Sequence, residues 1–283
     1  MTTAIVTDST AYLTPEERQK YNIHMVPLSV VIEQESFEEE VSISMSVFYD
    51  KVRDQKQLPK TTQPAIGKFI TMYEELAKEH DEVVTIHLSS GISGTYNGAL
   101  QAGDLVEGIT VYGFDSEIAC AIQGYFVIRA AKLAQQGATA KTIVTELEKM
   151  RDTMSAYFIV NDLAHLQRGG RLSAGAALIG GLLQIKPVLH FDNKVIIPFE
   201  KIRTRKKAMK RVEDLLAQAV EKYNGAIEAS IIHANCEDEG RAWMTELATK
   251  FPTVEFKLSY FGPVIGTHLG EGSIGMGWFK REN

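Results

Sequence analysis

The chain has 283 residues, of which 45% are hydrophobic and 23% are charged, as is typical of a soluble globular protein with one large or two ordinary domains. A formal net charge of −6 argues against a general nucleic-acid-binding protein. The N-terminus lacks a basic stretch followed by an apolar one, and no apolar run is long enough to span a membrane. We therefore expect a cytoplasmic protein without a membrane span, with reduced cysteines and no metal site.

Up to about residue 155, short apolar strands alternate with helical segments, which predicts an α/β domain with a mainly parallel sheet. Helices are expected to start at Thr14-Pro15-Glu16-Glu17, at Thr62-Gln63-Pro64 and at Asp115-Ser116-Glu117, because each motif has a capping residue beside a proline or an acid. The predicted strands cover residues 4–7, 25–32, 83–88 and 110–114.

Residues 87–99 follow the third predicted strand and combine four hydroxyl side chains with three glycines. Unpaired N–H groups at the start of a helix, close backbone approach at glycine and hydroxyl donors together suit a carboxylate or a phosphate. Ligands of parallel sheets bind beyond the carboxyl ends of the strands, where Asp8 and Asp115 are also expected. The alternative is an ordinary strand-turn-helix connection with a serine N-cap.

Beyond residue 155 the pattern changes to longer strands with two interposed helices, which predicts an α+β domain with an antiparallel sheet over residues 156–283. Asp192-Asn193 is expected to form a hairpin turn. The predicted strands are 186–191, 194–199, 229–233, 254–260 and 273–279, and the predicted helices are 204–223 and 237–250.

Several short motifs occur in one order along the chain: Asp8-Ser9-Thr10, Thr61-Thr62-Gln63-Pro64, Ser93-Gly94-Thr95-Tyr96, Arg168-Gly169-Gly170-Arg171 and Gly266-Thr267-His268. Each motif alone is weak, but the ordered set resembles the DegV family of fatty-acid-binding proteins. That family includes the acyl-carrying B subunits of bacterial fatty acid kinase. The resemblance covers about residues 4–280.

The resemblance implies a non-catalytic protein without a cofactor, which binds a palmitate- or oleate-like fatty acid. It also implies that the bound carboxylate is presented to a separate ATP-binding kinase subunit, which converts it to an acyl phosphate. Thr62 and Ser93 are expected to hold the carboxylate with His268 in support, and Thr61 and Thr95 are weaker candidates. None of these side chains is a permanent cation, so the head group would stay chemically accessible.

The acyl chain needs apolar surroundings, expected between or beside the two domains. Residues 118–133 are apolar almost all round, and we expect Ala119, Ala121, Ile122 and Phe126 to line the acyl tunnel. Small residues beside Gly124 would leave room for the chain. The alternative is that this helix simply fills the core.

A basic stretch with Arg203 and Arg205, together with Arg171, is expected to dock the kinase, unless it is only a solvated face. The common Gly-Pro-Gly of the family stands here as Gly270-Glu271-Gly272, and a free glutamate is expected to make that loop mobile.

Two other functions remain open. Ser93, Asp115 and His268 occur in the order of a serine hydrolase triad, although the fifth position of the nucleophile motif is Thr95 rather than glycine. A lipid carrier or sensor without a kinase partner is the other possibility.

Overall fold

The computed structural model describes residues 2–55, 57–172 and 185–281, and the elements are numbered within these ranges. The chain forms two compact units, the first from Met1–Ser44 and Pro59–Asp152 and the second from Met45–Leu58 and Thr153–Asn283. The segment Met45–Leu58 departs from the expected division after residue 155. It packs with the second unit, where the Tyr49 hydroxyl donates to the carbonyl of Phe261 at 2.9 Å.

The first unit is an α/β fold with helices packed on both faces of a parallel sheet, which confirms the predicted class. Its parallel sheet has the order β2-β1-β6-β7, and a separate sheet has the order β4-β3-β5. The strands are β1 (Thr3–Asp8), β2 (Ile23–Val26), β3 (Ser29–Ile32), β4 (Glu35–Glu38), β5 (Lys60–Thr62), β6 (Glu82–His87) and β7 (Thr110–Asp115).

The helices of the first unit cover the parallel sheet with apolar side chains. Phe69, Tyr73 and Ala99 pack with Val6 and Val83 on one face, while the longest of these helices lies against β1 and β6. Burial on both faces explains why these strands read as nearly continuous apolar runs. The helices are α1 (Pro15–Tyr21), α3 (Ile66–Leu76), α4 (Thr95–Gly103), α5 (Cys120–Gln135) and α6 (Ala140–Arg151), and α2 (Met45–Val52) belongs to the second unit.

Three expected elements begin or divide elsewhere. Residues 25–32 form two strands in different sheets, because Pro27, which lacks an N–H donor, separates β2 from β3. The helix expected after Thr62 begins at Ile66, since Thr62 ends β5. The helix expected after Asp115 begins at Cys120, which has a left-handed φ of 64°.

The second unit contains a six-stranded sheet in the order β10-β9-β8-β13-β11-β12. All neighbouring strands are antiparallel except β11 and β12, so the predicted antiparallel sheet is mixed at one edge. The hairpin turn is formed by Asn193 and Lys194, with φ of 46° and 72°, one residue later than predicted because Asp192 is the last residue of β9. The strands are β8 (Ser155–Ile159), β9 (Val188–Asp192), β10 (Val195–Glu200), β11 (Ile227–His233), β12 (Glu255–Tyr260) and β13 (Ile274–Lys280).

Helices cover one face of this sheet around a core that includes Trp243 and Trp278. Thr204 caps the predicted helix by accepting a hydrogen bond from the Lys207 N–H. The helices are α7 (Leu163–Arg168), α8 (Arg205–Lys222), α9 (Glu237–Lys250) and α10 (Pro263–Leu269). Among the residues that the structure describes, no helix combines the length and apolarity required to cross a membrane.

Candidate functional site

The loop between β6 and α4 carries the predicted hydroxyl cluster and lies between two aspartates. β6 is the strand between β1 and β7, so Asp8 at the end of β1 and Asp115 at the end of β7 flank the start of the loop. Asp8 Oδ2 accepts from the Leu88 N–H at 3.0 Å, and Asp115 Oδ1 accepts from the Ser90 N–H at 3.1 Å. Each carboxylate therefore binds one backbone N–H of the loop.

The other N–H groups of residues 88–93 are also used inside the protein. The N–H of Ser89 donates to the carbonyl of Ile118 at 2.7 Å, and the N–H groups of Ile92 and Ser93 donate to the carbonyl of Ser89. The N–H groups of residues 88–93 are therefore paired within the protein, and an anion site at the first turn of α4, which begins at Thr95, stays a prediction. A carboxylate at this loop would depend on its hydroxyl groups.

Ser93 and Thr95 form a hydroxyl pair at the start of α4. Their oxygens are 2.9 Å apart, and Ser93 Oγ also accepts from the Thr95 N–H at 3.3 Å. The N-cap residue is Gly94, not a serine, and it provides no side-chain cap. Two hydroxyl groups have two protons, and one of them joins the pair, so the other can be donated to a bound anion.

Gln63 connects the threonine motif to this loop. A Cβ on Gly94 would overlap Gln63 Oε1, so the side chain of Gln63 occupies the space that this glycine leaves. Thr61 pairs with the fully buried Val30 and is itself partly buried, whereas Thr62 is exposed. Consecutive strand residues point to opposite faces, so the side chains of Thr61 and Thr62 leave β5 in different directions.

A buried polar chain lies beneath the loop. The hydroxyl of Tyr73 donates to Thr85 Oγ1 at 3.0 Å, Thr85 Oγ1 is 2.6 Å from His87 Nε2, and His87 Nδ1 is 2.9 Å from Asp8 Oδ2. Burial acts to raise the pKa of Asp8, but the hydrogen bonds from His87, Thr10 and Leu88 hold the pKa below its usual value. The strand-end pattern located Asp8, but nothing in the sequence indicated its partners.

Glu39 is a further buried polar residue that the sequence did not indicate. It stands in an acidic stretch that resembles a solvated surface, yet it is fully buried. Its carboxylate accepts from Ser9 Oγ at 2.6 Å and from the Tyr12 hydroxyl at 3.0 Å. These bonds attach the end of β4 to the residues that follow β1.

The α5 helix is largely buried, and one of its buried side chains is polar. Gln123 is fully buried, and its Nε2 lies 3.3 Å from Thr7 Oγ1. A Cβ on Gly124 would lie 2.7 Å from the carbonyl oxygen of Ala11, so the space expected beside this glycine is filled by backbone. Of the predicted tunnel residues, the structure buries Ala119, Ile122 and Phe126 and leaves Ala121 partly exposed.

In the second unit, His268 lies in the last turn of α10 and is mostly buried. Burial, and then the charge of Arg171 and the proximity of His165, lower its pKa to about 3. The imidazole is therefore neutral at physiological pH. A Cβ on Gly169 would lie 2.6 Å from His268 Nδ1, so the Arg-Gly-Gly-Arg motif uses this glycine to admit the ring.

Glu271 is not the free side chain that its loop position suggests. Its Oε1 accepts from Arg53 Nη2 at 3.0 Å and from Asn235 Nδ2 at 2.6 Å. The bond from Arg53 is the main reason that the pKa of Glu271 lies below its usual value. Asn161 Nδ2 also donates to the carbonyl of Glu271 at 3.2 Å, so the expected mobile loop is instead attached at several points.

The predicted docking arginines differ in their surroundings. Arg205 forms a two-point ion pair with Glu239, with both N···O distances at 2.7 Å, and its side chain is 22% exposed. Arg171 Nη1 donates to the carbonyl of Gly169 at 3.0 Å. Arg203 is exposed and forms no ion pair with the residues that the structure describes.

The class of protein that the fold defines is a chain of two units, a parallel α/β unit with hydroxyl side chains at the carboxyl edge of its sheet and a unit with a mixed sheet. The family model for the DegV family of uncharacterised proteins matches residues 2–281. The chain belongs to the DegV family.

Relatives cover nearly the whole chain. It is 53% identical to Protein DegV of Bacillus subtilis over 98% of this chain and 99% of the relative. A crystal structure described as DegV, a fatty acid binding protein from Bacillus subtilis, has a TM-score of 0.94 at 52% identity and covers 99% of this chain and 100% of that chain. A fatty acid binding DegV family protein from Streptococcus agalactiae has a TM-score of 0.92 at 32% identity, with 100% of each chain covered.

Proposed function

We propose that this protein binds a long-chain fatty acid and holds its carboxylate with neutral hydroxyl donors at the β6–α4 loop. The observation that carries the proposal is the contact between Gln63 and Gly94, which joins the threonine motif to the Ser93–Thr95 pair. Solved relatives described as fatty acid binding support the choice of ligand. Thr61 is the better threonine candidate because it is partly buried, whereas Thr62 is exposed.

The acyl chain would supply most of the affinity. At about 0.8 kcal/mol per buried CH₂, roughly fourteen methylenes contribute on the order of 11 kcal/mol before ordering costs. A hydroxyl donating to a carboxylate adds about 1.5 to 3 kcal/mol, which is enough to fix the position of the head group. Ala119, Ala121, Ile122 and Phe126 stay candidates for the acyl tunnel.

Mass spectrometry of the purified protein tests the ligand. We expect native spectra to show a mass excess of a few hundred daltons, and lipid extraction to release a long-chain fatty acid. Protein that carries no lipid and takes up none on incubation with palmitate would rule out the function.

Ser93→Ala distinguishes binding from catalysis. Loss of a hydrogen bond to a charged group should weaken palmitate binding by about 1.5 kcal/mol, whereas ester hydrolysis should be absent from both proteins. Esterase activity that the substitution abolishes would favour the hydrolase with Ser93, Asp115 and His268. A supporting role for His268 is tested with His268→Gln in the same binding assay.

We also propose that the bound acid is presented to a separate ATP-dependent kinase, with Arg203 and Arg171 as docking residues. Arg203→Glu tests this without breaking the ion pair between Arg205 and Glu239. Fatty acid binding should be unchanged, while phosphorylation by a cognate kinase should fall and should weaken further as salt rises. Unchanged phosphorylation of the bound acid at low ionic strength would show that the basic stretch is only a solvated face. If no kinase co-purifies with the protein, a lipid carrier or sensor without a kinase partner would be favoured.

A further inference from the structure

We propose that Asp115 is a positioning residue that fixes the orientation of Ser93 for the ligand carboxylate. The inference rests on the proposed function and concerns a residue outside the hydroxyl cluster itself. Asp115 accepts from both hydrogen-bond donors of Ser90, because Oδ1 accepts the backbone N–H at 3.1 Å and Oδ2 accepts the hydroxyl at 2.5 Å. The Ser90 hydroxyl proton therefore points to Asp115 instead of to a ligand.

Ser90 belongs to a closed turn that ends at Ser93. The carbonyl of Ser89 accepts the N–H groups of Ile92 and Ser93, at 3.1 and 3.2 Å, and Ser89 Oγ accepts the N–H of Gly91. A rotation of residues 89–90 would consequently turn the Ser93 side chain as well. The two bonds to Asp115 attach this turn to the end of β7.

Asp115 is itself rigidly held. It pairs with His87 in the last register position of the β6–β7 ladder and is 6% exposed. Its carbonyl accepts from Arg151 Nη1 at 2.7 Å, and the N–H of Glu117 donates to its Oδ1 at 3.2 Å. Because this carboxylate is fixed relative to the sheet, its bonds to Ser90 fix the position of the loop relative to the sheet.

A direct electrostatic role would have the wrong sign. The negative charge of Asp115 repels a carboxylate bound at Ser93, so any gain in affinity from Asp115 must come from geometry. This separates the proposal from the triad in which Asp115 would orient a histidine. It also predicts that Ser90, which carries no charge, acts only through its bonds to Asp115.

The test compares affinities for palmitate and for hexadecanol, which has the same chain length and a neutral head group, by displacement of a fluorescent fatty acid. Asp115→Ala should lower the palmitate-to-hexadecanol affinity ratio by roughly fivefold to tenfold, because the hydrogen bond to the charged head group becomes misaligned. Ser90→Ala should lower the ratio about threefold, Ser90→Thr should restore it, and Ser90→Ala should add nothing to Asp115→Ala.

Glu82→Ala is the matched control. Glu82 is a buried carboxylate at the opposite end of β6 that also accepts a backbone N–H, from Ala140 at 2.9 Å. This substitution should destabilise the unit and leave the affinity ratio unchanged. An equal loss of the ratio in Glu82→Ala, or an unchanged ratio in folded Asp115→Ala, would overturn the role of Asp115.

If Asp115→Ala does not fold, Ser90→Ala decides the question, and an unchanged ratio in that variant overturns the proposal. Wild-type protein that binds neither lipid, or binds both equally, would instead overturn the proposed function. The two failures are therefore distinguishable.

Discussion

The neutral state of His268 makes the stability of the second unit depend on pH. Its pKa falls from an ordinary value of 6.5 to about 3 in the folded protein, chiefly because the ring is buried. Between pH 6.5 and 3 the unfolded chain binds a proton that the folded protein does not bind. Protonation of His268 therefore does not lower the free energy of unfolding above pH 6.5, and it lowers that free energy progressively as the pH falls from 6.5 towards 3.

The loss of stability at a given pH follows from how far that pH lies below the pKa of the histidine in the unfolded chain. At pH 5 the pH is about 1.5 units below the pKa of this histidine in the unfolded chain, which corresponds to about 2 kcal/mol of stability lost relative to pH 8. His24 and His233 also have pKa values lowered mainly by burial, so the whole protein should lose more than this amount. His268→Gln, which has no titratable group at this position, isolates the contribution.

Tryptophan fluorescence is a suitable assay, because both tryptophans of the chain, Trp243 and Trp278, lie in the core of the second unit. Urea unfolding at pH 8 and pH 5 should show a loss in the wild type that exceeds the loss in His268→Gln by about 2 kcal/mol. Equal losses in the two proteins would show that His268 titrates near its ordinary value and would refute the reasoning.

Two further predictions concern packing and charge. Gly124→Ala should destabilise the first unit by about 1 to 3 kcal/mol, because the added Cβ would lie 2.7 Å from the Ala11 carbonyl oxygen. Gly67→Ala should stabilise the same unit by about 0.5 kcal/mol, because its added Cβ would have no atom within 4 Å. Thermal unfolding of both variants checks this contrast, and equal effects would contradict it. A double-mutant cycle of Arg53→Met and Glu271→Gln should give a coupling free energy of about 0.5 kcal/mol that weakens with salt, because these side chains are 49% and 37% exposed. A coupling free energy above about 2 kcal/mol would instead show that the pair is effectively desolvated.

Local signals in the sequence determined most of the secondary structure. The α1 helix begins after Thr14 with the predicted proline, and Thr14 and Glu17 form a reciprocal capping box. The α9 helix has the predicted bounds, Glu237–Lys250. These features depend on groups within about four residues of one another, so a short stretch of chain contains all the information. The strand-end rule likewise located Asp8 and the Ser89–Thr95 loop at one edge of the sheet, because parallel strands share an orientation.

Only the tertiary structure decided which polar groups meet. Arg53 and Glu271 are 218 residues apart in sequence, and Ser9 and Glu39 are 30 apart, so neither pair has a local pattern. Burial of Glu39, closure of the space beside Gly124 and pairing of the Leu88 and Ser90 N–H groups all depend on distant partners. A carboxylate at the surface and one satisfied in the core have the same sequence signature. Their difference appears only when the fold brings donors to them, because burial of a charged group is tolerated only with such partners.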